Sequence, residues 1–275
     1  MHYLLGAIAC SAVFAQSYKF ALTRGYNVDG VSVASFTTCL LALVLVQAVR
    51  PERPTWPAIA LGLAYGAMGA TAQLTYFRAL RYGGVAVSWT IVQMCILIPV
   101  LAGVLFWSER PSPWQSAAIV AVGLAVLMMG DVELGQIKQP LAWVQWLSIA
   151  FVCSGLGNVC MKALSSLRPA PSQSIYLLAA YSASLLVGLP LLGKRRPRRA
   201  ELATGLVRGA ALLSSNLLVL RALTLLPGYL VFATYAAAGL ANNLVLALLL
   251  WGERPKGRAY LGIGLALGAI VLLSR

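Results

Sequence analysis

The chain has 275 residues, 60% of them apolar and 10% charged, with a mean hydropathy of +0.82; a soluble domain carries charge on about a quarter of its residues. A net charge of +14 would suggest nucleic acid in a soluble chain, but here the basic residues punctuate long apolar runs and read as loop anchors at a membrane face. The composition excludes a soluble enzyme or nucleic-acid-binding domain and defines an all-α integral membrane protein.

In chain order, apolar runs lie near residues 3–23, 30–48, 56–77, 84–107, 114–130, 141–163, 174–193, 202–223, 229–250 and 258–273. Each approaches the about 20 residues that cross the hydrocarbon as a helix, so ten transmembrane helices are expected. Turns separate them at Arg24-Gly25-Tyr26-Asn27, Arg50-Pro51-Glu52-Arg53-Pro54, Gly83-Gly84 and Arg168-Pro169-Ala170-Pro171. The first run has no basic start and has a counterpart later in the chain, so it reads as a retained helix, not a cleaved signal. Cys10, Cys39, Cys95, Cys153 and Cys160 all fall in apolar runs without paired spacing. They are expected to be free thiols, with no disulfide or metal site.

One stretch is written twice. Phe77-Arg78-Ala79-Leu80 leads into Trp107-Ser108-Glu109-Arg110-Pro111, and Leu220-Arg221-Ala222-Leu223 leads into Trp251-Gly252-Glu253-Arg254-Pro255. The interval from Arg78 to Arg221 also separates Lys19 from Lys162 and Gln73 from Asn216. The chain is therefore a tandem duplication, residues 1–135 and 136–275, with residues 131–140 as the linker. Five helices per copy send the second copy into the membrane from the opposite side, which makes the two copies inverted repeats.

This plan, with an Ala-Leu pair closing the third helix of each copy, Pro99 in the fourth and the aromatic-x-Glu-Arg-Pro step before the fifth, resembles the drug/metabolite transporter superfamily in its EamA-domain branch. The resemblance covers the whole chain and departs from the family where Asn242-Asn243 stands at the counterpart of Pro99. It implies a secondary transporter, working by alternating access, with its site near the bilayer midplane between the halves. It also implies cytoplasmic termini, whereas the basic residues of Lys194 to Arg199 and of the stretch after Glu253 favour termini outside. The orientation stays open.

The cargo is read from the polar residues. All seven acids, Asp29, Glu52, Glu109, Asp131, Glu133, Glu201 and Glu253, fall at helix ends or in loops, which disfavours proton-for-cation exchange on an intramembrane carboxylate. Glu109 and Glu253 each stand before a helix start, where a carboxylate meets the positive end of the helix dipole. Lys19 and Lys162 either reach the interface on their long stems or attract a carboxylate or phosphate. Gln73 and Asn216 either bond across helices or line a wet cavity. Gln16, Tyr76, Trp89, Gln93, Asn158, Tyr235 and Asn242 complete the candidate substrate-binding set, with Tyr181 and Asn243 nearby. The fifth and tenth helices carry few polar residues and offer small ones, Ala117, Ala121 and Gly264-x-x-x-Gly268, as a wall or dimer face.

The expected function is a uniporter, exchanger or exporter of small zwitterionic or anionic metabolites, with amino acids in first place and a flippase for a lipid-linked anion or a drug exporter as alternatives. No combination of nucleophile, base and metal ligands supports an enzyme. No catalytic residue, cofactor or metal is expected. The expected partners are a small-molecule substrate and the lipid bilayer of an inner or plasma membrane, with no nucleic acid, in a monomer or homodimer.

Overall fold

The computed structural model describes residues 2–80, 82, 88, 91–129, 140–167, 172–192, 197–252 and 257–273. Trp89, the Gly83-Gly84 and Arg168–Pro171 turns, residues 131–139 of the linker with Asp131 and Glu133, Lys194, and Glu253-Arg254-Pro255 lie outside them. The helices are α1 (His2–Thr23), α2 (Val28–Val49), α3 (Trp56–Ala79), α4 (Leu97–Phe106, led in by a 3-10 turn at Met94–Ile96) and α5 (Pro113–Met129). They continue as α6 (Pro140–Ser166), α7 (Gln173–Gly188, running on into a 3-10 turn at Leu189–Leu192), α8 (Arg199–Leu225), α9 (Gly228–Trp251) and α10 (Gly257–Leu273). No strand occurs among the described residues. By length and composition α1, α2, α6, α8 and α9 can each cross a membrane, while Ile91–Phe106, Pro113–Met128, Gln173–Gly188 and Tyr260–Leu273 are shorter apolar helices.

Local chemistry sets the helix ends. α1 stops at Gly25, whose positive φ of 65° turns the chain so that the Tyr26 N–H bonds the Ala21 carbonyl at 2.9 Å. Asn27 caps α2 by accepting from the Asp29 N–H at 3.1 Å, and Ser172 caps α7 by accepting from the Ile175 N–H at 3.0 Å. α5 begins with a reciprocal box: the Gln115 N–H donates to Ser112 Oγ at 3.3 Å, and the Ser112 N–H donates to Gln115 Oε1 at 2.9 Å. The repeated pentapeptide has its own geometry. Ser108 has φ 52° and Gly252, its counterpart, has φ 64°. The left-handed residue folds the chain back so that the Glu109 N–H reaches the Gly103 carbonyl at 3.1 Å. Glycine takes this conformation freely, whereas serine pays about 1 kcal/mol.

Packing divides the chain into two compact units, and each draws on both the first and the second half of the sequence. The first comprises Met1–Ala70 and Cys160–Thr224, the second Thr71–Val159 and Leu225–Arg275. Within the first unit, α2 packs on α7, its counterpart in the other copy. Two glycine crossings flank this pair. A methyl group on Gly62 or Gly66 of α3 would strike the Tyr176 or Ala180 carbonyl of α7. One on Gly205 of α8 would strike Ala34 of α2, and one on Gly209 would stand 2.6 Å from the Ser35 carbonyl oxygen. A small donor closes each crossing: Ser184 Oγ donates to the Gly66 carbonyl at 3.0 Å and Cys39 Sγ to the Gly209 carbonyl at 3.1 Å. Helices in lipid gain little from apolar burial, so backbone approach of this kind is a main source of association.

In the second unit α5 packs on α10, again counterparts, and α9 packs on α4, α5 and α10. The contact stripe differs from the expected one. Ala118, Val122 and Ala125 of α5 and Ala266 and Ala269 of α10 are buried, whereas Ala117 is exposed and nothing lies within 4 Å of a methyl built on Gly264 or Gly268. Ala117, Gly264 and Gly268 thus lie off the contact between α5 and α10.

Replacing Gly66 by alanine should lower the unfolding temperature of the detergent-purified protein by an amount equivalent to about 1–3 kcal/mol of overpacking. Gly69→Ala, where the added methyl would meet nothing within 4 Å, should leave it equal or slightly higher. Equal losses at the two positions would contradict the crossing. Ser108→Gly should raise the unfolding temperature and Gly252→Ser lower it, each by about 1 kcal/mol in stability.

Candidate functional site

The first unit holds four of the sequence candidates. Gln16 and Lys19 on α1 are half-buried; Lys162 on α6 is buried at 7% exposure, so the two lysine counterparts do not share one environment. Asn216 on α8 is buried, and its Nδ2 donates to the Tyr181 hydroxyl of α7 at 2.9 Å, a bond between helices. The unit also contains a second buried cation, which is not among those candidates. Arg208 on α8 is 3% exposed and donates from Nη1 to Ser32 Oγ of α2 at 3.1 Å. Its guanidinium lies 4.4 Å from the Phe14 ring centroid and 5.5 Å from that of Tyr18, both on α1. A search for matched pairs passes over it, because Tyr65 occupies the equivalent place in the first copy. The usable signal was a lone charge well inside a 27-residue helix.

The second unit holds Gln73, Gln93, Asn158, Tyr235 and Asn242, all half-buried, on α3, the turn before α4, α6 and α9. Tyr76 lies in a buried apolar cluster with Ala79, Val92, Trp143, Leu147 and Ala150. Trp143 of that cluster donates from Nε1 to Ser88 Oγ at 3.0 Å. Trp89 lies outside the described residues.

Glu201 lies at a helix end as expected, and it is fully buried there. It stands in the first turn of α8, where Oε1 accepts from the Asn27 N–H at 2.9 Å and Oε2 from the Arg198 N–H at 2.8 Å. Glu109 does meet a helix start, but not the next one in the chain. Its Oε1 accepts from the Gly228 N–H at 2.8 Å and its Oε2 from the Tyr229 N–H at 3.2 Å, at the head of α9, while Ser112 and Gln115 serve α5. Gln115 Oε1 also accepts from the Tyr229 hydroxyl at 3.0 Å. Glu52 accepts from the hydroxyl of Ser172, the cap of α7. Among the described residues no group of three His, Cys, Asp or Glu side chains could hold a metal.

Residues 2–137, just under half of the chain, match the family model for sugar transport proteins. A protein of Listeria monocytogenes named "Putative sugar uptake protein" and a namesake in Listeria innocua are each 25% identical over 141 residues, 50% of this chain and 48% of theirs. The match thus spans about half the length of these curated relatives. A solved crystal structure described only as that of a protein covers 98% of this chain and 94% of its own, at 17% identity and a TM-score of 0.78, a likeness of fold alone. The apolar helices mark a multi-pass membrane protein, and the family match likens its first half to a family of membrane transport proteins.

Glu201→Gln should lower the unfolding temperature by an amount equivalent to about 1–3 kcal/mol, since it leaves one buried N–H without its charged acceptor. Glu201→Ala should cost at least as much. An unchanged unfolding temperature in both variants would remove this carboxylate from the stability of the α2 and α8 starts.

Proposed function

We propose that the chain is a secondary transporter that moves a sugar across an inner or plasma membrane by alternating access. The match of residues 2–137 to the sugar transport family carries this reading. Neither amino acids nor lipid-linked anions, the cargoes favoured by the residues alone, gain support from the comparisons. The polar groups suit the revised cargo. Amides supply a donor and an acceptor on one planar group, as a sugar's neighbouring hydroxyls do, so Gln73, Gln93, Asn158 and Asn242 can bind hydroxyls without a full charge.

For architecture we propose two five-helix copies, residues 1–135 and 136–275, inverted with respect to one another as in the drug/metabolite transporter superfamily. Support comes from the equivalent glycine crossings, and from α2 on α7 and α5 on α10 packing as counterparts.

Purified protein in liposomes, given labelled hexoses, hexose derivatives and amino acids with and without a pH gradient, tests the cargo. A sugar should enter faster than into empty liposomes, and amino acids should not. Gln73→Ala and Asn158→Ala should each reduce that uptake about tenfold or more while the protein still elutes as a folded species, consistent with the loss of one or two hydrogen bonds to substrate. Uptake of amino acids with no uptake of any sugar would overturn the reading.

A further inference from the structure

Arg208 has more charge than its surroundings use. A guanidinium stays protonated in proteins and presents five N–H donors in a fixed fork. Here Nη1 is on Ser32 and the rings of Phe14 and Tyr18 lie against the group, but Nε, which is buried, has no hydrogen-bond partner. Among the described residues no carboxylate pairs with Arg208; Tyr18 and Cys39, a phenol and a thiol, face it, and Asp29 lies near Tyr18. A cation taken out of water without a counter-charge is costly, and ring contacts offset only part of that cost. Lys162 is buried in the same unit, whereas the buried carboxylate there, Glu201, is engaged with the backbone at the starts of α2 and α8. A neutral side chain would tie α8 to Ser32 without the penalty, so the charge points to a negative partner that the described residues do not supply.

We propose that Arg208 is the counter-charge for an acidic group on the transported sugar, a carboxylate or a phosphate, received on the Nε edge of the guanidinium while Phe14 and Tyr18 hold its plane. The proposal rests on the sugar reading above and narrows it to sugar acids or sugar phosphates. Two N–H donors on one edge of a guanidinium match two oxygens of either group, which an ammonium does not.

Binding of glucose, glucuronate and glucose 6-phosphate to the detergent-purified protein, followed by calorimetry, tests it. At least one acidic sugar should bind tenfold or more tightly than glucose, and which of the two does so separates carboxylate from phosphate. Arg208→Gln should bring the affinity of the acidic sugar down to that of glucose, and Arg208→Lys, which keeps the charge without the fork, should retain part of the advantage. If glucose binds as tightly as both acidic sugars, the proposal is overturned and the sugar reading stands. If the liposome assay shows uptake of no sugar, neutral or acidic, the sugar reading falls and the proposal with it. Should Arg208→Gln fail to fold, the preference of the parent and the response of Arg208→Lys decide.

Discussion

The start of a helix leaves four backbone N–H groups without an intrahelical acceptor, and hydrocarbon offers no water to replace one. Among the described residues glutamates reach such starts from distant parts of the chain. Glu109 accepts from the first N–H groups of α9, Glu201 from N–H groups at the starts of α2 and α8, and Glu52 from the hydroxyl of Ser172, the cap of α7. The carboxylate also faces the positive end of the helix dipole, so hydrogen bonding and charge act together. These attachments tie the start of one helix to a segment far from it in sequence.

The same attachments occupy much of the chain's small stock of negative charge. Three of the chain's seven acidic residues are committed to helix starts. The buried cations Lys162 and Arg208 lie along α6 and α8, in a unit whose buried glutamate is occupied at the ends of helices.

Much of the fold was legible because it rests on period and repetition. The apolar runs mark the helices to within a few residues at most ends, and Ser112, Asn27 and Gly25 act as their side chains and backbone freedom require. The contacts between distant elements were less legible. Glu109 was read against the helix that follows it, since sequence order gives only the neighbour; its partner, the head of α9, is supplied by the packing of the second unit. The stripe by which α5 and α10 pack was not legible for a related reason: small residues occur at several helical phases, and only the partner's surface selects one. Among the site candidates, symmetric pairing drew attention to Gln73, Asn216 and the lysines. It hid Arg208, whose charge has no counterpart in the other copy.

The glycine crossings bear on how the chain is made. Gly62 and Gly66 lie against α7, and Gly205 and Gly209 against α2, so each glycine face is covered by a helix from the other half of the chain. A ribosome delivers α2 and α3 long before α7 and α8 exist. The two crossings therefore form only after α7 and α8 have been made, so this packing follows synthesis and cannot accompany the first helices as they emerge.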